Sequence, residues 1–309
     1  MRERLKNMTV PVVATMLGAE TLSNVYQSLG FDWVRHLSMW ASTLVLLFYI
    51  AKIIIHPSAV KAEYSNTVPA SLYAGITMVT MILCSYYKVW FPTACKWIFI
   101  TAVCVHAVHI LVFLCRNVFK GVNLDTFVPS WFVTFNGIMV SLVAGPDMLP
   151  SAMAKAVLYW GLFIYTVTIP FMVWRLITRE VKPGMLHTQA IVLAPCSLCL
   201  VSYLNIVKEP VRAVVMILYV CVILSLLFIL VKLPRFFSVP FAPGFAGLTF
   251  PMAIGVVAST KAGSYLAGIG NEVLAYGVKQ VAGIQIYVTT AIIGMVLFGF
   301  MKMLAGKKA

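Results

Sequence analysis

Long apolar runs separated by short polar gaps mark this chain from end to end. Ten windows approach the length of a membrane crossing, at residues 8–28, 36–56, 67–88, 93–115, 128–146, 152–177, 186–206, 211–233, 241–262 and 280–304. A helix crosses the hydrocarbon of a bilayer with about 20 largely apolar residues. The pattern therefore predicts an all-α integral membrane protein with ten transmembrane helices in a single domain, residues 1–309. The first, fifth and ninth windows are weak by hydropathy alone.

The windows alternate in kind. Even ones carry bulky side chains, as in STLVLLFYIAKIII and VVMILYVCVILSLLFILV. Such residues suit lipid or a packed outer ring. Odd ones are rich in Gly, Ala, Ser, Thr and Pro, as in VPVVATMLGAETLSN, IVLAPCSLCLVSYL and FAGLTFPMAIGVVAST. Each odd window holds a proline at or near the span: Pro11, Pro69, Pro129, Pro195 and Pro251, spaced 58, 60, 66 and 56 residues apart. A repeat of that length, five times over, predicts five helical hairpins around a centre with the odd helices inside. A proline kink frees a carbonyl that lipid cannot satisfy, so such bends are expected to face protein or a water-lined cavity. Thr and Ser hydroxyls there would line a polar, uncharged path. The competing explanation is that small residues only allow tight helix packing, as in any bundle.

Charge sets the expected topology. With the amino terminus on side one, that side receives 15 basic residues, Lys307 and Lys308 among them, and the other side receives 8. The positive-inside rule then predicts a multi-pass protein of the cell (inner) membrane with both termini in the cytoplasm. The net charge of +14 is scattered through short loops, without a basic patch interleaved with aromatics, which excludes nucleic acid as a partner. The start, MRERLKN, resembles a basic leader region, but Glu20 follows too soon for a cleaved signal peptide. At 61% hydrophobic and 10% charged residues, with mean hydropathy +0.96, there is no polar stretch for an attached soluble domain.

Candidate chemistry is sparse. Of seven cysteines, Cys196 and Cys199 form a CxxC within an apolar window, read as small core residues on one helix face rather than as a redox or metal pair. His106 and His109 stand three apart with no nearby carboxylate, so packing or interhelical hydrogen bonding is expected of them. The chain lacks HExxH, GxSxG and paired acidic metal motifs; neither an enzyme nor a cofactor is expected.

Four segments carry a resemblance to a known family. VKAEYSNTVPASLYAG (60–75), AIVLAPCSLCLVSYL (190–204) and GLTFPMAIGVVAST (247–260) resemble the third, seventh and ninth helices of the tellurite-resistance/dicarboxylate transporter family. PSWFVTFNGIMVS (129–141) is a looser match to the fifth. The family includes the bacterial TehA protein, yeast malate permease and the slow anion channels of plant guard cells. The resemblance implies ten helices in five hairpins, a central pore within each protomer, and a homotrimer. It also implies a phenylalanine plug in the ninth helix, at the position of Phe250, with Gly18 of the first helix giving the ring room. The implied partners are lipid and small anions: chloride, nitrate, oxyanions or C4-dicarboxylates.

The lining and hinge positions expected on the inner helices are Gly18, Glu20, Pro69, Asn136, Pro195, Thr249, Pro251 and Gly255, with Phe250 as gate. Glu20 departs from the family pattern, which has an apolar residue there. Three readings stand open. Glu20 sits near the outer helix end, solvated or paired with a base such as Lys261; or it carries a proton coupled to dicarboxylate uptake; or it binds a cation or fixes packing. Two functions compete accordingly, a passive gated anion channel and a proton-coupled dicarboxylate carrier or exporter.

Overall fold

The computed structural model describes residues 2–306, and Lys307 and Lys308 lie outside them. Among the described residues all regular structure is helical. Ten long or interrupted helical segments follow one another: α1 (Val10–Ser28), α2 (Asp32–Ile55), α3 (Thr67–Tyr87), α4 (Pro92–Asn117), α5, α6 (Ser151–Thr178), α7 (Pro183–Ile206), α8 (Arg212–Phe236), α9 (Pro243–Gly268) and α10 (Glu272–Leu304). The α5 segment is broken. It runs from Trp131–Phe135 through a 3-10 turn at Gly137–Met139 to Val140–Ala144. Eight of the ten, all but α1 and α5, are long and apolar enough to cross a membrane. A short helix, Pro57–Ser65, links α2 to α3.

Packing sorts the segments as the alternation in composition predicts. Over their most apolar windows, α3, α7 and α9 are 56%, 83% and 72% buried within the chain. The even-numbered α2, α4, α6, α8 and α10 are 28–33% buried and turn many of their Leu, Ile, Val and Phe outward. In a soluble protein so much exposed apolar surface would be unfavourable; in a bilayer it faces lipid. The inner segments touch in cyclic order: α1 packs on α3, α3 on α5, α5 on α7, α7 on α9, and α9 back on α1. Each even segment packs on the odd one before it.

Small residues make the inner contacts close. A Cβ on Gly18 would lie 2.6 Å from Thr249 Cβ and 2.8 Å from Phe250 N, so α1 and α9 meet almost backbone to backbone. A Cβ on Gly247 would stand 2.8 Å from the His187 carbonyl oxygen, which brings the start of α9 against the start of α7. Two glycines work instead through conformation. Gly30 (φ 92°) and Gly270 (φ 79°) follow the last residues of α1 and α9 in the left-handed region, where a side chain is disfavoured, and turn the chain sharply into α2 and α10.

The prolines of the inner segments fall near the starts of α-helical runs. Both α7 and α9 begin as 3-10 helix, at Pro183–Val192 and Pro243–Leu248, and become α-helical at Leu193 and Thr249. Pro195 and Pro251 are each the third residue of the α-helical part, and Pro69 is the third residue from Thr67. Near the start of an α-helical run proline is tolerated, because its fixed φ is already helical. In α9 the change from 3-10 to α geometry thus falls two residues before Pro251. The prolines inside a helix are Pro170 and Pro234, on the outward-facing α6 and α8. Replacing Pro251 with alanine is accordingly expected to change stability by less than about 1 kcal/mol, measured as thermal unfolding in detergent. A kink-forming proline would instead show a marked repacking of α9.

Candidate functional site

The inner segments enclose a cavity of about 640 Å³, and residues from all five of them line it. The contributors include Pro11, Ala14 and Leu17 of α1, Pro69 and Gly75 of α3, and Val133 of α5. Thr188 and Ile191 of α7 and Gly247, Phe250 and Pro251 of α9 complete the wall. These residues lie in the first halves of their segments, so the cavity occupies one end of the molecule. At its mouth are the exposed Asn66 and Gly184; Phe250, 7% exposed, is among the deepest lining residues.

The wall is mainly apolar, with four threonines. Thr67 donates to Asn117 Oδ1 (2.9 Å), Thr126 to Asn123 O (3.2 Å) and Thr188 to Met185 O (2.6 Å). Their protons are engaged by the protein. Thr9 Oγ1 is the exception, buried and without a partner. A solute here meets hydroxyl oxygens and apolar surface, with few free donors.

One ionisable residue lines the cavity, Glu63 of the Pro57–Ser65 helix. Its Oε2 accepts from Lys52 Nζ (2.7 Å), Tyr49 OH (3.0 Å) and Tyr73 OH (3.1 Å). Its Oε1 accepts from the Val10 backbone N–H (2.9 Å), the first of α1. Lys52 also donates to Met8 O (2.6 Å). The carboxylate thus caps the positive end of α1 and ties α1, α2 and α3 together. Sequence reasoning assigned Glu63 no role, although it lies within the segment that resembles the third helix. The available signal was an acid 11 residues after a lysine at the end of an apolar window.

Across the rim, loops are held by cations. Arg175, buried at the end of α6, donates through Nε to Leu124 O (3.1 Å) and through its two terminal nitrogens to Arg179 O (3.2 Å) and Glu180 O (3.3 Å). Lys182 donates to Asp125 Oδ2 (2.8 Å). That hydrogen bond, with the lysine charge, holds the exposed Asp125 carboxyl below the usual aspartate range. The pair is therefore intact at neutral pH and is lost only as acid titrates the lowered carboxyl.

Of the candidate positions, three lie on the cavity wall and the others fall around it. Phe250, Pro251 and Pro69 line it. Gly18 lies against the Thr249–Phe250 backbone. Thr249 donates to Ala246 O (2.8 Å) and approaches Ala14 O at 3.4 Å. Gly255 is packed on Leu193, where a Cβ would come within 2.9 Å, and Pro195 is buried in α7. Asn136 marks the break in α5 and donates to Gly161 O (2.9 Å) of α6, while its Oδ1 is buried without a partner.

Glu20 departs furthest from expectation. It is fully buried and faces the equally buried Ser42 on α2, with which it makes at best a poorly aligned hydrogen bond; neither has another partner. The reading that made Glu20 solvated or paired with Lys261 is wrong: Lys261 donates instead to Asn205 Oδ1 (3.0 Å). The reason is rotational. Position 20 of α1 turns toward Ser42 on α2 and off the cavity wall.

The hydrogen bonding expected of the histidines is present, and the CxxC cysteines are core residues. Cys196 and Cys199 are buried and free. His106 joins Thr77 Oγ1 (2.7 Å) and Thr134 O (3.0 Å), and His109 joins Tyr64 OH (3.0 Å).

No curated protein matches this chain. A family model does, the one described as voltage-dependent anion channel, over residues 7–304. Members of that family are channels or transporters for anions, and a multi-pass helical membrane protein with an apolar, inner-helix-lined cavity is what such a task requires. The chain belongs to the voltage-dependent anion channel family, the same group that its third, seventh and ninth helical segments resemble.

Proposed function

We propose that this protein is a gated pore for small anions. All ten helical segments cross the membrane as five hairpins, with both termini and the cavity mouth on the cytoplasmic side. Anions pass between the odd-numbered segments, and the Phe250 ring closes the path. The observation that carries this reading is the single cavity wall built by all five inner segments and reaching Phe250 at depth. A phenyl ring in a narrow apolar passage blocks it sterically and excludes water. Substrates are chloride, nitrate, oxyanions or C4-dicarboxylates, drawn to the cytoplasmic face by its excess of basic residues. Three such protomers assemble, each with its own path. The test is anion flux into liposomes holding purified protein, wild type beside Phe250→Ala, with voltage and pH gradient set independently.

A second reading, a proton-coupled dicarboxylate carrier, draws on one observation. Glu20 is a carboxyl buried at membrane depth with no partner but Ser42, the kind of group that carries protons in transporters. Its contact with α2, away from the cavity, favours the pore. Glu20→Gln is therefore expected to leave anion flux unchanged. Uphill dicarboxylate uptake on a proton gradient that Glu20→Gln abolishes would reverse the preference.

A further inference from the structure

A carboxylate is out of place on the wall of an anion path, and Glu63 is the one ionisable group there. Its surroundings explain it. An ammonium, two phenol hydroxyls and the first N–H of a 19-residue helix converge on one point at the cavity wall. Charged and dipolar donors so arranged suit a planar oxyanion such as a carboxylate or nitrate. Left vacant, this cluster would hold a passing anion strongly, and an anion that binds tightly leaves slowly.

We propose, resting on the anion-pore reading above, that Lys52 and Glu63 are the specificity-determining pair of this cavity: Glu63 fills the oxyanion site as a built-in counter-anion. Permeant anions then meet a wall that is neutral in sum and are held weakly. The pair is asymmetric in the way this role needs. The Lys52 side chain is 3% exposed and lies behind the carboxylate, whereas Glu63 is 16% exposed and lines the cavity. Among the described residues Lys52 pairs with no other carboxylate. Without Glu63, positive charge would face the path. Without Lys52, an uncompensated carboxylate would repel anions and favour cations.

The experiment uses full-length protein in liposomes in the Phe250→Ala background, where flux is measurable. Glu63→Gln keeps the side-chain shape and removes the charge. It is expected to lower the nitrate concentration for half-maximal flux at least roughly tenfold, within the roughly thousandfold that one unit charge about 4 Å away supplies at an effective dielectric near 20, and to lower maximal flux. Lys52→Met is expected to cut the anion-over-cation permeability ratio, read from the reversal potential in a salt gradient. The double variant Lys52→Met/Glu63→Gln returns both quantities toward the parent, which lost packing alone would not do. Unchanged half-saturation in Glu63→Gln, or a double variant worse than either single one, overturns the proposal. A direct binding measurement separates this outcome from failure of the pore reading. Nitrate should raise the melting temperature of purified Glu63→Ala, but not of wild type or of Lys52→Met/Glu63→Ala. That rise without any anion flux would keep the oxyanion site and sink the pore; no rise overturns the site.

Discussion

Phe250→Ala is expected to raise anion flux through the reconstituted protein by roughly tenfold or more, since each ~1.4 kcal/mol taken off a barrier is tenfold in rate. The ring lies among the deepest residues of the cavity and is 7% exposed. It is carried on the second residue of the α-helical part of α9, immediately after the 3-10 junction. Truncation to alanine removes the ring without disturbing that junction. Because Phe250 lines the cavity, the loss of stability should fall below the roughly 3–5 kcal/mol seen when a fully packed phenylalanine is cut to alanine. Phe250→Trp should keep the path closed. Flux that follows voltage and ignores the pH gradient marks a channel. If Phe250→Ala conducts no better than wild type while remaining folded, the ring is a core residue and the pore reading loses its gate.

The second large effect is expected at Gly18. A Cβ there would sit 2.6 Å from Thr249 Cβ, 2.7 Å from Thr249 C and 2.8 Å from Phe250 N. Two of those three atoms are backbone, which cannot turn aside as a flexible side chain would. Gly18→Val must therefore push α1 away from the first α-helical turn of α9, weakening the approach of Thr249 Oγ1 to Ala14 O. Overpacking of this kind costs about 1–3 kcal/mol or more, read as a lower melting temperature in detergent. Gly277→Ala on α10 is the control, because no atom lies within 4 Å of its added Cβ, and it should be silent. Because the displaced backbone carries Phe250, a folded fraction of Gly18→Val should also show altered anion flux. A Gly18→Val protein as stable as wild type would mean that α1 and α9 do not meet as closely as this packing requires.

Some of this arrangement is legible in the residues alone. Bulky and small segments alternate because lipid accepts any large apolar side chain, whereas helices that crowd a centre need Gly, Ala, Ser and Thr at their contacts. The burial contrast between α7 and α8 follows from that choice. Phe250 stood out beside Pro251, and the likeness of its segment to a known helix pointed to the same ring. The prolines were legible as a repeat but not as first-turn residues, because nothing in IVLAPCS or LTFPMAI separates a 3-10 lead-in from the α-helix after it. Glu63 was missed for a different reason. Its partners Val10, Lys52 and Tyr73 lie 53, 11 and 10 residues away on three different segments, and no local pattern reports that they converge. Glu20 was misplaced because a weakly amphipathic helix does not declare which way one polar residue turns.

By itself, then, the sequence determined that this chain lives in a membrane, how its segments divide into inner and outer, and which family it belongs to. Those properties depend on the average composition of each helix, and averages survive without coordinates. Tertiary structure alone decided which side chains share the cavity, that Glu63 is neutralised from behind by Lys52, and that Glu20 faces α2. Those are matters of rotation about each helix axis and of contacts between distant segments. A turn of 100° per residue carries a side chain from the cavity wall to a buried interface with no change in composition at all.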